Sequence, residues 1–170
     1  MNYSLSDSDI RKFIGEPVRI IKYSELSKFK TVDQLLHPYD GCFILYETDH
    51  NYGHWTVLFR NRWGIEFFDS YGAPIDTMIG NLKKSYPAGG AQQKPYLTAL
   101  ILRSLKANGE RLHIISNKVA LQSSNENITT CGRWAVFRYI NRRSDLRSFI
   151  DLFKNQPDKD LAVTNMVLLE

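Results

Sequence analysis

Leu121-Gln122-Ser123-Ser124-Asn125-Glu126-Asn127-Ile128-Thr129-Thr130-Cys131-Gly132-Arg133-Trp134-Ala135-Val136-Phe137-Arg138-Tyr139-Ile140 is the stretch from which the fold is read. A polar, turn-rich run delivers one cysteine to the start of a segment apolar enough to be a buried helix. A helix N-terminus presents unpaired backbone N–H groups and a partial positive charge, which lower the pKa of a thiol placed there. Gly132 lets another chain approach the sulfur. If an acyl group bonds to Cys131, the N–H groups of this turn and the amide of Gln122 are the groups to meet the oxygen that becomes negative. Free cysteine is also among the most buried residue types, so the stretch alone reads as packing until a histidine joins it.

That histidine lies to the N-terminal side. Gly53-His54-Trp55-Thr56-Val57-Leu58-Phe59-Arg60 and Ile65-Glu66-Phe67-Phe68-Asp69-Ser70-Tyr71-Gly72 flank the short connection Asn61-Arg62-Trp63-Gly64. β-Branched and aromatic runs around a polar link with glycine predict a hairpin. If Asn61 faces Gly64, then Arg60 faces Ile65 and Thr56 faces Asp69. His54, two residues before Thr56, shares that face as the diagonal neighbour of Asp69, within side-chain reach. A slip of one residue would put the two on opposite faces, so the turn decides. Taken singly, His54 reads as a satisfied strand histidine and Asp69 as a turn opener. Together they suit a nucleophile–base–orienter set, in which Asp69 fixes the imidazole tautomer. Metal binding through Cys42, His50, His54 and Cys131 is not expected: the His50/His54 spacing converges only on a helix, and there is no C-x-x-C.

The rest of the chain supplies the frame. A Ser6-capped helix stops at Gly15, Val18–Ile21 is extended, and Thr31 with Gln34 caps a helix ending before Pro38. Gly41–Tyr46, apolar throughout, reads as a central strand with Cys42 a small hydrophobe in it. Ile75–Leu82 is expected to be a short helix, Ser85–Lys94 a surface loop, and Tyr96–Ala107 a helix ended by Asn108-Gly109. Leu112–Ile115 is a strand, with His113 structural, and Ser144–Phe153 and Leu161–Leu169 are closing helices. The expectation is an α+β domain spanning 1–170: a mixed sheet of about five strands flanked by helices, with Cys131 opening a buried central helix.

A length of 170 residues with 43% hydrophobic content suits one domain with a substantial core. The net charge of +4 permits an anionic partner without requiring one. Arg138, Arg142, Arg143 and Arg147 read as a solvated helix face. Two cysteines are too few for a disulfide framework, and there is no apolar leader or membrane-length run. An intracellular, reducing setting is expected, not secretion or a membrane.

The order His54-Trp55, Asp69, Gln122, Cys131-Gly132, cysteine last, resembles that of the adenain-like and Ulp-like cysteine proteases; papain-type enzymes run cysteine first. The shared features are His-Trp opening a hairpin strand, Asp-Ser-Tyr-Gly ending its partner, and a Gln some residues before Cys-Gly. Within the group the chain is most similar to maturation proteases of double-jelly-roll DNA viruses, of the virophage, Polinton and adenovirus type. The resemblance implies a papain-like (adenain/Ulp-type) fold with Cys131 as nucleophile, His54 as general base, Asp69 as orienter and Gln122 as oxyanion-hole donor, with Trp55 and Gly132 at the substrate. Because the run from Gln122 to Cys131 is longer than the family pattern, Asn125 and Asn127 stand as alternative donors. It implies an endopeptidase cleaving viral capsid or core precursors at Gly-Gly or Gly-X sites, in the virion or the host cytoplasm or nucleus. A monomer is expected, without cofactor or metal, with DNA or a peptide as conceivable activator. The alternatives are a ubiquitin-like or SUMO-type isopeptidase and a catalytically silent binding module.

Overall fold

The computed structural model describes residues 4–77, 95–109 and 112–168. Five strands form one sheet in sequential order: β1 (Arg19–Lys22), β2 (Gly41–Asp49), β3 (Tyr52–Asn61), β4 (Gly64–Phe68) and β5 (Ile114–Ser116). The three central strands are antiparallel, whereas β1 pairs parallel with β2 and β5 parallel with β4. The described helices are α1 (Asp7–Ile14), a 3-10 helix (Tyr23–Lys28), α2 (Val32–Leu36), α3 (Tyr96–Ala107), α4 (Cys131–Ile140), α5 (Leu146–Asp151) and α6 (Lys159–Met166). The architecture is the expected α+β mixed sheet flanked by helices.

Both faces of the sheet are covered, which is why apolar side chains point to both sides of its central strands. Phe43, Leu45, Trp55, Val57 and Phe59 pack with α1, α4, α5 and α6. The alternate side chains Cys42, Ile44, Tyr46 and Leu58 pack with the 3-10 helix, α2 and α3. Helix α4 lies against β3 with Trp134, Ala135, Val136 and Tyr139 buried. Full burial of side chains this size is worth roughly 1.5–3 kcal/mol each, so α4 is held by packing more than by helix propensity.

The arginine cluster is not the solvated face that its charge suggests. Arg138 is fully buried; its Nε and Nη2 donate to the two carboxylate oxygens of Glu66 on β4 at 2.7 and 2.9 Å. Further N–H bonds reach Asn141 O and Ser144 O, and the guanidinium lies over Phe149 at 4.9 Å. Four of the five guanidinium N–H donors are thus bonded, which is what lets a charge sit inside. Arg143 and Arg147 do stay exposed.

Several boundaries move for local reasons. Asp145, not Ser144, caps α5, accepting from Ser148 N at 2.9 Å. Asp158 caps the closing helix, which begins at Lys159 instead of Leu161; Leu169 lies outside the described residues. The strand expected over Leu112–Ile115 is Ile114–Ser116, its register set by β4. Most of the expected Ile75–Leu82 helix and all of the Ser85–Lys94 loop lie outside the described residues.

Candidate active site

The β3–β4 register is the one the turn dictates: Asn61 opposite Gly64, Arg60 opposite Ile65, continuing to Val57 opposite Phe68. One step further sets Asp69 beside Thr56 and diagonal to His54. The two side chains meet, His54 Nε2 to Asp69 Oδ1 at 2.9 Å, with both residues buried.

Asp69 is itself held. Its backbone N–H donates to Asn117 Oδ1 at 3.0 Å, while Asn117 Nδ2 donates to Asp69 O at 2.6 Å and Val119 O at 3.2 Å. Strand β5 delivers Asn117, a buried polar residue that sequence reasoning missed. The turn Asp69-Ser70-Tyr71-Gly72 closes on Asp69 Oδ1, which also accepts Tyr71 N at 2.8 Å. Gly72 has φ 67°, and a Cβ there would meet the Val119 backbone at 2.7 Å, so glycine is required.

With Nε2 committed to Asp69, Nδ1 is the ring nitrogen left for the Cys131 thiol, whose sulfur accepts the N–H of Trp55, the residue that follows His54. Cys131 is the first residue of α4, preceded by Thr130. The Thr130 hydroxyl does not cap the helix; it donates to Asp160 Oδ1 at 2.5 Å. The Thr130 side chain thus leaves the Gly132 N–H to Cys131, where it favours the thiolate. Trp55 N–H also points at Sγ, at 3.5 Å. Burial raises the thiol pKa, but the hydrogen bond and charge of His54, with these N–H donors, bring it below the ordinary value. Burial likewise disfavours charged His54; its bonds and charges from Asp69 and Cys131 overcome this and push it up to about 10. Both shifts run in the direction of a thiolate–imidazolium pair.

Gln122 is buried, whereas its alternatives Asn125 and Asn127 are exposed. Its Oε1 accepts Ser70 Oγ at 2.7 Å, and its Nε2 donates to Tyr71 OH and Ile128 O. The long run to Cys131 is anchored by Asp160, another residue that sequence reasoning missed. Asp160 accepts Ser123 N at 2.8 Å and Trp134 Nε1 at 2.9 Å in addition to Thr130.

Trp55 and Gly132 form the other wall. The Trp55 indole N–H donates to Leu5 O at 2.9 Å, and a Cβ on Gly132 would meet Leu5 at 3.0 Å and Trp55 at 3.2 Å. The close approach that Gly132 permits is thus filled in part by this chain's own Leu5. Beyond Trp55 opens a cavity of about 340 Å³ lined by Ile20, Ile21, Leu45 and Asn51. Cys42 faces the opposite layer and His50 is exposed, so the four side chains weighed as metal ligands do not come together.

No protein-family profile matches the chain. It is 35% identical over 147 residues, 86% of this chain and 81% of the other, to an uncharacterized protein V9 of Sputnik virophage. Among solved structures it is similar to the SUMO protease Ulp1 with its catalytic cysteine oxidized to a sulfinic acid, at TM-score 0.41 and 15% identity over 97% of this chain and 80% of that one. It is also similar to the C-terminal Ulp1 protease domain in complex with Smt3, the yeast orthologue of SUMO, at TM-score 0.38 and 14% identity over 97% and 79%. A structural likeness this loose carries no argument about the chain.

Proposed function

We propose that this chain, which belongs to the same family as the Sputnik virophage protein V9, is a cysteine endopeptidase that cleaves viral capsid or core precursor proteins. The observation that supports it is the buried His54–Asp69 hydrogen bond set beside Cys131, the first residue of α4, whose sulfur accepts the N–H of Trp55 next to His54. A buried structural cysteine has no use for an oriented imidazolium.

The Cys131 thiolate attacks the scissile carbonyl carbon and the carbonyl electron pair moves onto oxygen. The Cys131 N–H and the Gln122 region stabilise that oxygen; removing one such donor costs about 10²–10³ in rate in comparable sites. Protonated His54 gives its proton to the leaving amine. Water, deprotonated by His54, then releases the acyl group. Asp69 holds the ring and its charge throughout.

Cys131 is only 6% exposed and His54 7%, so a substrate chain reaches the sulfur only where side chains are small. This supports cleavage beside glycine, at Gly-Gly or Gly-X sites. The viral setting rests on the V9 relative. The proposed chemistry uses side chains and backbone alone, in a monomer; it requires a reduced thiol, which fits a virion or the interior of a host cell.

The test is incubation of wild-type and Cys131→Ala protein with virophage capsid precursors and with a diglycine-extended ubiquitin-like protein, each with and without DNA. Cleavage of the precursors alone, lost in Cys131→Ala, is expected. Preferential release after the modifier's diglycine would move the assignment to an isopeptidase. Cleavage of neither, with or without DNA, would favour a binding module. A requirement for DNA would make it an activator.

A further inference from the structure

Gln122 is too fully engaged to be the only side-chain donor to an oxyanion. One Nε2 hydrogen goes to Ile128 O at 3.1 Å and the other to Tyr71 OH at 3.2 Å. In the second bond the phenol oxygen is the acceptor, so its own proton points elsewhere; no acceptor for it is present among the described residues. The ring is fixed on two sides. It stacks on His54, centroids 4.8 Å apart and planes 24° from parallel, and its backbone N–H is bonded to Asp69. Burial first, and next the charge of the Cys131 thiolate, push the phenol above its ordinary pKa. The hydroxyl is therefore protonated, and its ring stacks on the imidazole that serves Cys131.

We propose that the Tyr71 hydroxyl is an oxyanion-hole donor, oriented by Gln122 and acting with the Cys131 backbone N–H; this rests on the protease reading above. When the Cys131 S–C bond forms, the carbonyl electron pair moves onto oxygen and accepts a hydrogen bond from Tyr71 O–H, whose proton is not transferred. When the intermediate collapses, the pair returns, the C–N bond breaks and the amine takes its proton from His54. Gln122 is then a positioning residue for Tyr71.

Two reactions of the same sulfur separate this role from others. Alkylation by iodoacetamide passes through no oxyanion, whereas acylation by p-nitrophenyl acetate does. In Tyr71→Phe, acylation of Cys131 is expected to fall by about 10²-fold, with alkylation within about twofold of wild type because the ring still stacks on His54. Gln122→Leu should give a similar split, and the double variant should fall little further, since the two side chains act as one donor. Acylation of Tyr71→Phe at the wild-type rate or faster would overturn the proposal, showing that the hydroxyl merely occupies the Gln122 amide. Equal loss of both reactions would also overturn it, assigning Tyr71 to positioning of His54. A wild-type Cys131 that is no more reactive than Cys42 in either reaction would overturn the protease reading itself, and the donor role with it.

Discussion

The two cysteines form a natural pair for comparison, because both are buried, at 0% exposure for Cys42 and 6% for Cys131. Cys42 sits inside β2 in the apolar cluster that holds Tyr23, Leu26 and Leu58, and burial, outweighing the charge of Arg19 on the neighbouring strand, pushes its thiol pKa well up. Cys131 meets an imidazole and two backbone N–H donors, and its pKa moves down. Equal burial thus gives opposite chemistry. Desolvation is common to both; oriented donors separate them.

The largest expected break in that contrast comes from Asp69→Asn. The asparagine carboxamide cannot stabilise charged His54, so Cys131 should lose about 10²–10⁴ in acylation rate, the range for a general base, while Cys42 is unchanged. Rates measured by mass spectrometry of each cysteine-containing peptide check this. Glu66→Ala strands the buried Arg138 charge beneath α4 and should cost roughly 3–5 kcal/mol in denaturant unfolding. Near its unfolding midpoint both thiols become equally accessible, erasing the contrast by a different route.

Asp160→Asn should be milder, about 1–3 kcal/mol, because it leaves a hydrogen-bond mismatch among Ser123, Thr130 and Trp134. Its signature is a lowered kcat with little change in KM, as the Gln122 loop loses its anchor. The smallest effect belongs to Cys42→Ala, at most about 1 kcal/mol in stability and none on the labelling of Cys131. A change in Cys131 reactivity there would show that the two layers of the core are coupled.

The His54–Asp69 pair was legible in the sequence because the Asn61–Gly64 turn fixes the register and period-two alternation does the rest. The Cys131 helix was legible because an apolar run behind a polar one has few other solutions. The partners that hold the site were not. Asn117 lies 48 residues from Asp69, Asp160 lies 30 from Thr130, and Arg138 lies 72 from Glu66. Buried polar pairs at such separations follow no period, and by composition alone an arginine counts as surface. The Tyr71–Gln122 bond escaped for the same reason: each residue belongs to a motif, but 51 residues separate them and only the folded chain places them 3.2 Å apart.

The central claim, that Cys131 and His54 form an ion pair, is tested most directly by the rate of iodoacetamide alkylation of Cys131 against pH, in wild type and His54→Ala, with Cys42 as internal control. The sign follows from the two shifts: a lowered thiol pKa keeps thiolate present below the ordinary value of about 8.5, and a raised imidazole pKa keeps His54 charged above its ordinary 6.5. Wild-type Cys131 should therefore alkylate readily well below pH 8.5, and His54→Ala should move its profile up to or beyond that value. A wild-type profile as slow as that of Cys42, unchanged by removal of His54, would contradict the ion pair.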